Sequence, residues 1–205
     1  MVAMSSIVLA SGNPGKIREL AEFFADLEIE IVPQQTLGIE SPEETGTTFV
    51  ENALLKARYA ASRSGLPAMA DDSGIAVDAL DGRPGVWSAR YAGAGATDEE
   101  NVDKLLGELA GVADGQRGAG FHCAAVLVDP DITVAPLIAE AVWRGQILHA
   151  RQGEGGFGYD PVFLDSATGK SGAQMTREEK NRISHRGKAF RELRKLLRQM
   201  PAASQ

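Results

Sequence analysis

Five short polar segments hold most of the side chains in this chain whose types and spacing could do chemistry. They are Ser11-Gly12-Asn13-Pro14-Gly15-Lys16, then Glu44 with Lys56, then Asp71-Asp72-Ser73-Gly74. Gly155-Gly156-Phe157-Gly158-Tyr159-Asp160-Pro161 follows, and Arg177-Glu178-Glu179-Lys180 leads to Ser184-His185-Arg186-Gly187. Backbone N–H groups and lysines suit phosphates, carboxylates suit a hard metal ion, and an aromatic ring with polar neighbours suits a planar base. Those are the parts that hydrolysis of a nucleoside triphosphate requires. No one segment settles the matter alone; their order along the chain carries the argument.

Ser11 to Lys16 follows an apolar run and precedes a helical pattern. N–H groups at a helix start, with a lysine one turn in, form a ready anion site. The spacing is not that of the G-x-x-x-x-G-K-[ST] phosphate loop, and glycine with proline before a helix also reads as an ordinary turn. Lys56, taken alone, reads first as a solvated surface lysine, and Glu44 equally as a loop carboxylate. Asp71 and Asp72 end an apolar stretch. Adjacent side chains of an extended segment point to opposite faces, so one aspartate enters a given site. A carboxylate held there suits Mg²⁺, which takes few protein carboxylates and keeps its waters; the competing reading is an Asx-type turn. Phe157, inside a glycine-rich loop, suits stacking on a base, whereas Tyr159 reads as core. Lys180, His185 and Arg186 offer donors to carbonyl or phosphate oxygens, against the alternative of a solvated helix junction. The three histidines share no metal-ligand spacing, which argues against zinc.

The apolar pattern predicts the elements that position these residues. Ile7 to Ala10 reads as a buried strand, followed by a helix with Asn13 as N-cap and Pro14 at its first position. Ile17, Leu20, Ala21 and Phe24 share one face of that helix. Ile29 to Val32 is a second strand, closed by Pro33. Thr48 and Glu51 form a capping box for a long helix with the stripe Val50, Ala53, Leu54, Ala57 and Ala61, stopped by Gly65. Leu66 to Ala70 and Ile75 to Val77 read as two strands around a turn at Asp72-Ser73-Gly74. Asp81 to Gly95 is irregular, with Trp87 and Tyr91 as anchors. Thr97 with Glu100 and Thr176 with Glu179 repeat the capping box. Phe121 to Val128 and Pro136 to Trp143 have strand character, and a last helix spans Gly187 to Met200. Strands and helices mix without strict alternation, which suggests α/β or α+β with a mixed sheet. A single domain over residues 1–205 is expected, with 1–6 and 201–205 frayed.

Composition narrows the function classes. With 205 residues and 43% hydrophobic residues, the chain can bury a sizeable core and is not intrinsically disordered. A net charge of -7 argues against a sequence-independent grip on nucleic acid, though not against a small anion met by local lysines and a metal. Cys123 is the sole cysteine, so no intrachain disulfide forms and a reducing compartment fits. The N-terminus lacks a basic region, and no apolar run reaches the roughly 20 residues of a bilayer span. A soluble cytoplasmic protein without a membrane partner is expected.

With all five segments in view, the sequence resembles the inosine/xanthosine triphosphate pyrophosphatase family from Ile7 to about Leu197. The motifs are ASGNPGKIREL, EETGTTFVENALLKA, ADDSGIAVDAL, PGVWSARYAG, FHCA, GGFGYDPVF and REEKNRISHRGKAF. The resemblance implies Mg²⁺-dependent hydrolysis of ITP, dITP and XTP to the monophosphate and pyrophosphate, which clears them from the nucleotide pool. It also implies a two-lobed α/β fold with a long mixed sheet, flanking helices and a cleft between lobes, usually as a homodimer. On the matching positions, Ser11, Gly12, Asn13, Pro14, Gly15 and Lys16 would bind substrate and Lys56 would bind phosphate. Glu44 and Asp72 would hold Mg²⁺, with Asp72 as general base. Ser73, Phe157, Gly158, Tyr159, Asp160, Lys180, His185 and Arg186 would complete the substrate site. Ser11 stands where many relatives have threonine, and keeps the hydroxyl. A Maf-type pyrophosphatase is a related alternative, opposed by Ser184-His185-Arg186-Gly187. A nucleotide sensor without turnover is the alternative from another class, opposed by the paired acidic positions.

Overall fold

In a computed structural model the chain is described at residues 6–13, 16–17, 20, 23–24 and 29–199. Among the described residues, seven strands form one sheet in the order β2-β1-β3-β4-β5-β6-β7. They are β1 (Ser6–Leu9), β2 (Glu30–Pro33), β3 (Ala68–Val77), β4 (Gly118–Val128), β5 (Leu137–Ile147), β6 (Phe163–Asp165) and β7 (Lys170–Ser171). β1 runs parallel to β2, with Ile7 opposite Ile31, and parallel to β3, with Val8 opposite Ala68. β6 is antiparallel to both β5 and β7. The sheet is mixed and the chain is α/β. Parallel neighbours need crossover connections, and helical residues supply them here. Lys16, Ile17, Leu20, Phe23 and Phe24 are helical between β1 and β2, and helix α1 (Phe49–Ser64) lies between β2 and β3.

The three capping boxes are formed. Thr48 Oγ1 accepts from Glu51 N at 3.1 Å while the Glu51 carboxylate accepts from Thr48 N at 3.1 Å, and α1 stops at Gly65 with φ 68°. Helix α2 (Asp98–Glu108) opens the same way at Thr97, and helix α3 (Arg177–Ile183) at Thr176. Helix α4 (His185–Gln199) buries Phe190 and Leu193. Pro14, Gly15 and Ala21 lie outside the described residues, as do 1–5 and 200–205; Ser6, expected at a frayed end, opens β1.

The chain divides into two compact units. The first comprises residues 1–72, 123–140 and 188–205, and the second 73–122 and 141–187. The first has a core of small residues: Val8, Ala53, Ala57, Ala61, Ala70 and Val126 among them. The second has an aromatic core that includes Phe121, Trp143, Tyr159 and Phe163.

Two expectations are corrected. The expected turn at Asp72-Ser73-Gly74 does not form, because one ten-residue strand runs from Ala68 to Val77 through both aspartates. Buried carboxylates are tolerated in a strand when cations or amides meet them, and both aspartates have such partners. Trp87 is not a buried anchor: it is 55% exposed, with the Arg90 guanidinium 4.5 Å from its ring centroid. Its neighbour Ser88 takes the interior position, donating to Gly85 O at 2.6 Å and accepting from Ile75 N at 2.9 Å.

Candidate active site

The first unit assembles charged groups around β3. After β1, Asn13 caps the helical residues, since its Oδ1 accepts from Lys16 N at 3.1 Å and its carbonyl from Ile17 N at 3.0 Å. Ser11 is buried, its Oγ accepts from Asn13 N at 3.3 Å, and its carbonyl accepts from Gln35 Nε2 at 2.7 Å. Gly12, beside Gln35 and Ser41, is exposed. One turn into the helical residues, Lys16 Nζ donates to Asp71 Oδ2 at 2.9 Å.

Asp72 points the other way, as strand alternation requires, and meets α1. Lys56 Nζ donates to Asp72 Oδ1 at 2.9 Å and to Glu44 Oε1 at 2.6 Å. Asn52 Nδ2, one helical turn earlier, donates to Asp72 Oδ2 at 3.2 Å. Burial pushes the Asp72 carboxyl up, and the Glu44 charge adds to this, against the downward pull of Lys56 and Lys16. Burial alone would lower the Lys56 ammonium, yet Asp72, Glu44 and Asp71 together raise it. Both directions are consistent because two carboxylates share one ammonium.

Two carboxylate oxygens therefore converge on one cationic position, held by Lys56 Nζ. Hard oxygen donors in this number fit Mg²⁺, which keeps several waters and takes one or two carboxylates together with substrate phosphates. Among the described residues no group of three or more histidines, cysteines and carboxylates is placed to hold a metal ion.

The second unit assembles rings and cations around one buried carboxylate. Asp160 Oδ2 accepts from Phe157 N at 2.9 Å and from Lys180 Nζ at 2.5 Å, with both ion-pair side chains buried. A Cβ at Gly156, where φ is 76°, would strike that carboxylate, so glycine is needed on both counts. Lys180 Nζ lies 4.7 Å and Arg186 Cζ 5.3 Å from the Phe157 ring centroid. Arg186 Nη2 also donates to Ser73 Oγ at 3.0 Å. Gly158 N donates to Asp98 Oδ2 at 2.6 Å, tying the loop to the start of α2. Tyr159 packs in the core with its hydroxyl donated to Ser88 O at 2.8 Å, and burial raises its pKa. His185 is buried and stacks on Phe121, with centroids 4.8 Å apart and planes at 7°. Phe121 stacks in turn on Trp143, whose Nε1 donates to Asp165 Oδ1 at 3.0 Å.

The structure thus brings Ser11, Asn13 and Lys16 to one side of β3, and Glu44, Lys56 and Asp72 to another, in the first unit. It brings Ser73, Phe157, Asp160, Lys180 and Arg186 together in the second. Four supporting residues escape the sequence reading: Asn52, Gln35, Asp98 and Phe121. Asn52 alone left a trace, since it precedes Lys56 by four positions on one helix face. The other three act through contacts between segments far apart in the chain.

A mixed α/β sheet, with lysines and paired carboxylates in one unit and a ring-bearing loop in the other, has the parts of a phosphate-handling enzyme. Residues 7–196 match the Ham1 family, and the chain belongs to that family. It is 55% identical over 195 residues to a protein of Pectobacterium atrosepticum named dITP/XTP pyrophosphatase, covering 95% of this chain and 99% of that one. A protein of the same name from Methylococcus capsulatus is 57% identical over 192 residues, covering 94% and 96% of the two chains. The solved structure of a HAM1 protein from Coxiella burnetii superposes with a TM-score of 0.90 at 47% identity, over 96% of this chain and 100% of that one.

Proposed function

We propose that this protein is a Mg²⁺-dependent pyrophosphatase that hydrolyses ITP, dITP and XTP to the monophosphate and pyrophosphate. One observation carries the reading: Glu44 and Asp72 converge on the ammonium of Lys56, 2.6 and 2.9 Å from its Nζ, in a unit that also presents Lys16. The names of its close relatives point to the same substrates.

Glu44 and Asp72 would hold the ion. When bound, Mg²⁺ neutralises phosphate charge and makes the phosphorus more electrophilic. Ser11, Gly12, Asn13, Gly15 and Lys16 offer N–H groups to the triphosphate, Pro14 sets the bend between them, and Lys16 and Lys56 each add an ammonium. Water oxygen bonds to the α-phosphorus as the bond from that phosphorus to the bridging oxygen breaks, and pyrophosphate leaves with the electron pair. Asp72 takes the water proton. Phe157 stacks on the purine, with Gly158, Tyr159 and Asp160 shaping its loop. Lys180, His185 and Arg186, with Ser73, donate towards the 6-oxo group. ATP carries a donor there instead of an acceptor, and a site built on such a bond rejects the mismatch.

The reading includes a homodimer acting on free cytoplasmic nucleotides, which light scattering and cell fractionation test. Among the described residues, no helix is long and apolar enough to cross a membrane. The reaction itself is tested by incubating the protein with ITP and Mg²⁺ and identifying the phosphorus products. IMP and pyrophosphate are expected; IDP and orthophosphate as primary products overturn the assignment.

A further inference from the structure

Asn52 is fully buried, with 0% of its surface exposed, between the two segments that carry the paired carboxylates. Its Oδ1 accepts from Gly46 N at 2.8 Å, two residues after Glu44. Its Nδ2 donates to Asp72 Oδ2 at 3.2 Å. The amide orientation is fixed by its partners: a backbone N–H needs the oxygen, and a carboxylate oxygen needs the NH₂. Lys56 holds the other Asp72 oxygen from the next turn of the same helix, so one face of α1 addresses both oxygens of that carboxylate. The approach of the Glu44 loop is also tight. A Cβ at Gly46 would lie 2.6 Å from Asn52 Oδ1 and 3.0 Å from Asn52 N, so only glycine fits there.

We propose that Asn52 is a positioning residue for the metal site, tying the Glu44 loop to Asp72 and so fixing the spacing of the two carboxylates. The inference rests on Glu44 and Asp72 being the metal ligands. A buried amide is costly unless both its ends are hydrogen-bonded, and here both ends are bonded to the flanks of that pair. Asp72 lies on a strand and Glu44 in a loop. A strand position is set by the sheet, whereas a loop carboxylate needs a separate tether. Asn52 provides it from a rigid helix.

Asn52→Leu removes both contacts at nearly constant volume, and Asn52→Asp keeps the acceptor for Gly46 N while removing the donor to Asp72. For wild type and both variants, Mn²⁺ binding without nucleotide is measured by electron paramagnetic resonance. Hydrogen exchange over residues 42–48 and the kinetics of ITP hydrolysis against Mg²⁺ complete the set. Asn52→Leu is expected to weaken Mn²⁺ about tenfold, raise the half-saturating Mg²⁺ by a similar factor and speed exchange at 42–48. KM for ITP at saturating Mg²⁺ should move less than threefold. Asn52→Asp is expected to keep exchange at 42–48 slow while kcat falls about tenfold. A folded Asn52→Leu protein with Mn²⁺ affinity within threefold of wild type overturns the proposal, whatever its melting temperature. If Asn52→Leu does not fold, Asn52→Asp with kcat within threefold of wild type overturns it instead. Wild type that makes no IMP and pyrophosphate undoes the reaction assignment separately from this test.

Discussion

In the first unit, the buried aspartates are met by lysines and an amide, whereas in the second the cations beside the loop are met by ring faces as well as by Asp160. Asp71 faces Lys16, and Asp72 faces Lys56 on α1. Asn52 reaches Asp72 at 3.2 Å because the helix and strand around it are lined with Ala53, Ala57, Ala68 and Ala70, all fully buried. Small side chains let backbones come close enough for short polar side chains to meet. In the second unit, Lys180 and Arg186 lie within 5.3 Å of the Phe157 centroid, and His185 lies flat on Phe121. Stacked rings orient a plane and leave its edge groups for hydrogen bonds, which suits discrimination of one planar base from another. Paired charges on rigid elements suit phosphates and a metal, which are the same in every nucleotide. If the proposed roles hold, the difference teaches a division of labour: Asp72, Lys56 and Lys16 on strand and helix, with Glu44 from a loop, serve the chemistry, and the Phe157 loop and ring stack read the base.

The largest effect expected from that division is at Asp72. Asp72→Asn should lower kcat for ITP by about 10³-fold, because an amide neither takes the water proton nor carries the charge that holds Mg²⁺. Circular dichroism and nucleotide binding should stay close to wild type. Retention of most of the rate would move the base elsewhere in the first unit, with Asp71 the first candidate.

Asp160→Asn tests whether the second unit also depends on one charge pair. Lys180 would be left buried without its carboxylate, and breaking a buried pair from one side costs about 3–5 kcal/mol. Urea unfolding should show a loss near the lower figure, since an amide oxygen can still accept from Phe157 N. A loss below about 1 kcal/mol would mean that the loop is held by its rings, and the contrast between the units would sharpen.

Much of this organisation is legible in the sequence, and the reason is locality. A capping box spans three residues, so Thr48 with Glu51, Thr97 with Glu100, and Thr176 with Glu179 can be read directly, and all three form. The helix stop at Gly65 is equally local. What fails is decided by partners far along the chain. Asp72-Ser73-Gly74 has turn composition, yet Lys56 and Asn52, sixteen and twenty residues away, keep it extended. Trp87 has the composition of an anchor, but Ser88 satisfies Ile75 N and takes the interior place. The parts of the candidate site that resemble family motifs are legible as types and order. Their supports Gln35, Asp98 and Phe121 are not, because each acts through contacts with segments far along the chain, and Asn52 shows only its four-residue spacing to Lys56.

The base-reading side gives a smaller and more selective effect. His185→Ala should narrow the ratio of kcat/KM for ITP over ATP by about tenfold, the worth of one hydrogen bond of roughly 1.4 kcal/mol. Lys56→Ala should lower both values together and leave their ratio within twofold, because the phosphates are common to both nucleotides. A ratio that moves with Lys56 and not with His185 would reverse the two roles and break the comparison.

Tyr159→Phe separates rings that read from rings that support. The Tyr159 hydroxyl donates to Ser88 O at 2.8 Å inside the aromatic core, and its ring packs with Phe163 and Val162 rather than standing in the loop beside Phe157. Deleting the hydroxyl leaves a buried carbonyl without that donor, which costs about 1 kcal/mol and is measurable as a lower urea midpoint at unchanged slope. The ring itself stays, so the Phe157 loop above Asp160 keeps its seat, and the ITP-to-ATP ratio should remain within twofold of wild type. A changed ratio with unchanged stability would instead place the Tyr159 hydroxyl on the nucleotide. The second unit would then read its base with a polar group from the core as well as with the ring of Phe157.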